Sequence, residues 1–123
     1  VQNVAIDCAD AYKLACFWSE VTGRPLHPED RPGDHETQVM LPVGPILHFN
    51  QVPEKKVIKN RIHLCLRPET SREEEMERLL NLGAAWVADH RNPDGSGWVI
   101  LADPEGNEFC VLRSESDRAA KSP

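Results

Sequence analysis

One order of landmarks runs through this chain twice. Asn3 opens a stretch of alternating apolar residues, and His63 opens another 60 residues later. Gly23 and Gly83, each closing an amphipathic segment, are also 60 apart. The turn glycines Gly44 and Gly106 are 62 apart, as are His48 and Cys110. A repeat of this length is one supersecondary unit that cannot bury its own apolar face, so two copies are expected to pair. The reading is two β-α-β-β-β modules, residues 1–52 and 60–113, in a single α+β domain of residues 1–113. Their strands are expected to form a cupped, mixed and mostly antiparallel sheet, with helices outside and a concave cleft suited to a small molecule.

Local signals support each element. Val4, Ile6 and Cys8 alternate with Asn3, Ala5 and Asp7, which predicts a strand over residues 2–8. Asp10 then serves as N-cap to an amphipathic helix over residues 11–22, whose apolar side is Leu14, Phe17, Trp18 and Val21. Gly23 stands where a helix end needs positive φ. Residues 24–34 read as a loop with at most one short edge strand. Strands are predicted over residues 36–41, 46–52 and 61–67. Ser71 and Glu74 form a capping box for a helix carrying Met76, Leu79, Leu80 and Leu82, ended by Gly83. Strands at about 85–89, 97–102 and 107–113 complete the second module, with turns at Asn92-Pro93-Asp94-Gly95 and Asp103-Pro104-Glu105-Gly106-Asn107. Residues 114–123 read as a frayed polar tail.

Composition narrows the function classes. The 123 residues include 14 basic and 20 acidic ones, a net charge of −6. With no basic stripe, nucleic acid is excluded as a partner. No apolar run is long enough for a membrane span, and the first seven residues do not read as a signal peptide, so a cytoplasmic protein is expected. Cys8, Cys16, Cys65 and Cys110 form no CxxC pair, and the first three read as reduced cysteines packed as small hydrophobes. There is no Gly-x-Ser-x-Gly elbow, and the closing Glu of a calcium loop is missing after Asn92-Pro93-Asp94-Gly95. Trp18 reads as core, whereas Trp98 follows a glycine-rich turn and can stack on a flat ligand at the cleft mouth. His48, between Leu47 and Phe49, needs a hydrogen-bonding partner. Asp7 shares the strand face of Asn3, and Glu108 that of Cys110, which makes both carboxylates candidates for acid–base work.

Three stretches carry a family resemblance: residues 4–10 (Val4-Ala5-Ile6-Asp7-Cys8-Ala9-Asp10) with Phe17-Trp18 and Gly23, then Lys59-Asn60-Arg61-Ile62-His63-Leu64, then residues 101–110 around Asp103-Pro104-Glu105-Gly106-Asn107. On these the chain resembles the vicinal oxygen chelate superfamily, which includes glyoxalase I, the bleomycin-resistance proteins and extradiol dioxygenases, and within it the small single-domain glyoxalase-like proteins. The resemblance implies a homodimer. It also places up to four metal ligands, usually His or Glu, at positions that here hold Asn3, His48, His63 and Cys110.

That donor set departs from the family pattern at three of its four places. It holds no carboxylate, which disfavours Mg²⁺ and Ca²⁺. His48, His63 and Cys110 remain a legitimate trio for one divalent transition metal (Zn, Ni or Fe). Three functions follow as expectations. One is a small-molecule-binding protein of the glyoxalase/bleomycin-resistance type, its pocket formed by Asn3, His48, His63, Trp98, Glu108 and Cys110. Another is a metal-dependent lyase or isomerase acting beside a carbonyl or enediolate, with Glu108 or Asp7 moving the proton. The last is a regulatory or interaction domain whose cleft is filled by side chains.

Overall fold

A computed structural model describes residues 1–121, with side chains described through Arg118. The chain divides into two compact units, Val1–Val57 and Ile58–Pro123. The architecture is α+β, built from two modules of the same connectivity.

The first unit contains β1 (Asn3–Cys8), α1 (Ala11–Thr22), β2 (Glu36–Val39) and β3 (Ile46–Gln51). Its sheet has the order β1-β3-β2, with β1 parallel to β3 and β2 antiparallel to it. Residues 24–34, read as a loop with at most one short edge strand, contribute one antiparallel bridge, Leu26 to Val39. Asp10 caps α1 by accepting the Lys13 amide at 3.1 Å, and Gly23 closes it at φ 69°. The helix buries Leu14, Phe17, Trp18 and Val21, while β2 and β3 bury Val39, Leu47 and Phe49. Each such side chain contributes roughly 2 kcal/mol of apolar burial. Phe17 and Trp18 meet edge to face, their ring centres 5.4 Å apart. The Thr37 hydroxyl is satisfied by donating to the Ala11 carbonyl at 2.8 Å, which fixes β2 against the start of α1.

The second unit contains β4 (Cys65–Leu66), α2 (Arg72–Leu82), β5 (Ala85–Arg91), β6 (Gly97–Ala102), β7 (Glu108–Leu112) and α3 (Glu115–Lys121). Its order, β4-β7-β6-β5, repeats the topology of the first unit: the opening strand lies parallel to the closing one. Ser71 caps α2 by accepting the Glu74 amide, and Gly83 ends it at φ 118°. Met76 and Leu79 are buried, as are Val99, Leu101, Phe109 and Val111.

Two expectations change here. The strand predicted over residues 61–67 shrinks to two residues. Ahead of it one backbone bond runs from the Cys110 amide to the Leu64 carbonyl at 2.8 Å, and Glu108 accepts the Asn60 amide at 2.9 Å. After it, Pro68 cannot donate to a neighbour. The tail expected to fray from Ser114 instead forms α3. The Ser114 hydroxyl accepts the Asp117 amide at 3.0 Å and Asp117 accepts the Ser114 amide at 2.9 Å, a reciprocal cap. Asp117 also accepts the Arg72 amide at 2.8 Å, tying α3 to the start of α2. Ser122 and Pro123 lie outside the described residues.

Candidate functional site

A groove of about 450 Å³ opens on one face of the second unit's sheet. Period-two alternation along β7 builds it: Phe109 and Val111 are buried on one side, leaving Glu108, Cys110 and Leu112 to the other. Two register rows cross the groove. In one, Cys65 pairs with Cys110 and Cys110 with Ile100. In the other, Leu112 pairs with Trp98 and Trp98 with His90. The first row ends on sulfur, the second on aromatic rings.

The aromatic wall depends on a tight hairpin. Gly97 has φ 92°, and a Cβ there would stand 2.2 Å from the His90 carbonyl oxygen, so only glycine lets β6 approach β5 this closely. The approach stacks the His90 and Trp98 rings, with centres 5.3 Å apart and planes 26° from parallel. Arg72, 5% exposed, locks the turn by donating to the carbonyls of Gly97 at 2.9 Å and Gly95 at 2.6 Å. Trp98 itself is 42% exposed, which leaves its face available.

At the sulfur end, the donor atoms of His63, Cys65 and Cys110 lie within 4.8 Å of one another. Burial, and next the neighbouring Cys65 thiol, push the Cys110 thiol up to about 11, so it is a neutral thiol at physiological pH. Glu108 and Lys59 line the same end. Glu108 anchors the segment leading to His63 through its bond to the Asn60 amide.

The structure thus brings together four of the residues singled out from the sequence: His63, Trp98, Glu108 and Cys110. Asn3, Asp7 and His48 belong to the first unit. Asn3 and Asp7 are exposed on β1. His48 has the partners its setting demanded: Nδ1 is 3.0 Å from Gln38 Nε2, and Nε2 is 2.9 Å from Asn50 Oδ1 and 3.3 Å from Glu36 Oε1. Both ring nitrogens are therefore engaged within that unit.

Cys65 corrects the sequence reading. It is an exposed residue beside Cys110 and not a packed hydrophobe. Its signal was present, since in the strand predicted over residues 61–67 it follows His63 by two residues and falls on the same face. His90 and Arg72 were also missed. The antiparallel pairing opposite Trp98 would have pointed to His90. Nothing in the helical pattern marks Arg72, which sits just inside an acidic first turn.

Residues 3–112 match the family model described as glyoxalase-like domain. No curated protein matches the sequence at a significant level. Among solved structures, the fold is similar to a glyoxalase/bleomycin resistance protein/dioxygenase family enzyme from Burkholderia phytofirmans, with TM-score 0.69 and 17% identity over 89% of this chain and 94% of that one. It is also similar to a glyoxalase-related enzyme from Fulvimarina pelagi (TM-score 0.68, 19% identity, 94% and 88% covered). A lactoylglutathione lyase from Agrobacterium tumefaciens is a third such structure (TM-score 0.63, 17% identity, 94% and 93% covered).

Proposed function

The chain belongs to the glyoxalase-like domain family, within the vicinal oxygen chelate superfamily, and on that premise we propose that it binds a small, flat organic molecule in the groove of its second unit. The observation that carries this reading is the half-exposed Trp98 stacked on His90 above an apolar floor of Ile100 and Leu112. A ring laid on that wall gains stacking and apolar burial without reorganising the hairpin, because Gly97 and Arg72 already hold it. Lys59, His63 and Glu108 at the far end supply the few polar groups that orient a ligand. The volume suits one small molecule and lies at the low end of known ligand pockets.

The protein acts as a homodimer in the cytoplasm in this reading. The dimer rests on the family resemblance; light scattering tests it, with twice the chain mass expected and the single-chain mass overturning it. No helix among the described residues is long and apolar enough to cross a membrane.

The test is tryptophan quenching by a panel of planar heteroaromatic compounds. Saturable quenching in the native protein, absent in Trp98→Phe, is the expected result. Quenching that persists in Trp98→Phe, or none across the panel, sinks the reading.

A further inference from the structure

We propose that His63, Cys65 and Cys110 form a binding site for Zn²⁺, contained entirely in the second unit; it keeps His63 and Cys110 of the ligand set that the family resemblance implies and takes Cys65 in place of Asn3 and His48. That family set does not fit the side chains present. Asn3 offers a weak amide donor, no carboxylate stands at a ligand place, and both ring nitrogens of His48 are already hydrogen-bonded to Gln38, Asn50 and Glu36. The trio in the second unit has a different character. Two thiols and one imidazole are a borderline-soft donor set, which selects Zn²⁺ over Mg²⁺ or Ca²⁺.

The geometry is close to what the ion needs. Tetrahedral Zn²⁺ with Zn–S of about 2.3 Å and Zn–N of about 2.0 Å places its donors about 3.5–3.8 Å apart. The three donor atoms already lie within 4.8 Å of one another, so rotamer adjustments of about an ångström close the set. The backbone favours this convergence. Cys65 and Cys110 are register partners on adjacent parallel strands, and the bond from the Cys110 amide to the Leu64 carbonyl, 2.8 Å, fixes the segment carrying His63. Glu108 holds the same segment ahead of His63, at Asn60. Binding exchanges one Zn²⁺ for the two thiol protons, which leave to solvent, and the imidazole donates a lone pair, so charge and protons balance. Three protein donors leave a fourth position for water or for a group of a molecule in the groove.

The inference does not need the organic ligand. The experiment uses the full chain, reduced with a phosphine and stripped with chelator. It is titrated with Cd²⁺ for the thiolate-to-metal charge-transfer band, and with Zn²⁺ against a chromophoric chelator. One ion per chain is expected, with a charge-transfer band of two-thiolate intensity. Cys65→Ser should halve that band and weaken Zn²⁺ at least about 100-fold, beyond the range seen on losing a mere supporting contact. Cys65→His, which restores a donor, should recover most of the affinity and controls for misfolding, while His48→Ala should bind like the native chain. No band, a band unaffected by Cys65→Ser, or an equal loss in His48→Ala overturns the site. Quenching of Trp98 by planar compounds in the chelator-stripped protein reports on the organic-ligand reading separately, so one can fail while the other stands.

Discussion

Gly97 and Arg72 carry more of the groove than the residues that line it. Adding a Cβ to Gly97 forces it against the His90 carbonyl at a φ that L residues avoid. Gly97→Ala is therefore expected to cost about 2–3 kcal/mol in urea unfolding and to shift the emission of Trp98. Arg72→Met leaves two carbonyls without their donor and should cost about 2 kcal/mol or more. Arg72→Lys should recover less than half of that loss, because a single ammonium cannot reproduce the two-pronged fork. Equal stability of Arg72→Lys and the native protein would show that the fork is not what holds the turn. At this scale the sequence was partly legible. His63, Trp98, Glu108 and Cys110 stood out by spacing and neighbours, and they share one groove. Arg72 was not legible, because its partners are backbone carbonyls, which no side-chain pattern records. Cys65 was legible in principle, and its neighbour Cys110 became visible beside it only through the parallel register of β4 and β7.

Elements with chemical punctuation at both ends were read correctly from the sequence. The caps at Asp10 and Ser71 and the stops at Gly23 and Gly83 bound α1 and α2 as expected. Elements whose ends depend on long-range partners were not. β4 spans two residues, and the segment before it is tied down at Asn60 by Glu108, 48 positions away. α3 exists because Asp117 joins the Ser114 cap to the start of α2. Ser114→Ala should cost about 1 kcal/mol and lower the helix content seen by circular dichroism. Acid should act on the β5 end of the second unit. The Arg91 side chain, then its backbone amide, hold Asp89 down at about 2, against an ordinary 3.8, and Arg91 also pairs with Glu73. A depressed carboxylate stabilises above its unfolded value and loses that contribution as pH falls through its folded one. Stability should therefore decline from about pH 4 towards 2, and Asp89→Asn should flatten that part of the profile. An identical profile in the variant would place the acid sensitivity elsewhere.

Over the whole molecule, the repeat was the most informative feature of the sequence. It foretold two modules of one connectivity, and each unit has its first strand parallel to its last. What the repeat could not convey is how differently the two copies are used. The residues at matching places, His48 and Cys110, sit in opposite surroundings: one ring saturated with hydrogen bonds, one thiol in an apolar groove beside a second thiol and an imidazole. That asymmetry follows from their neighbours. Gln38, Asn50 and Glu36 surround the first position, whereas Cys65, Ile100 and Trp98 furnish the second. The central claim is that the groove of the second unit is a ligand site. Its most direct test is a map of amide and indole chemical shifts on the ¹⁵N-labelled chain as planar heteroaromatic fragments are added. The account predicts saturable shifts centred on Trp98, His90, Ile100 and Cys110 that vanish in Trp98→Ala. Shifts centred away from these residues, or unchanged in Trp98→Ala, would contradict it.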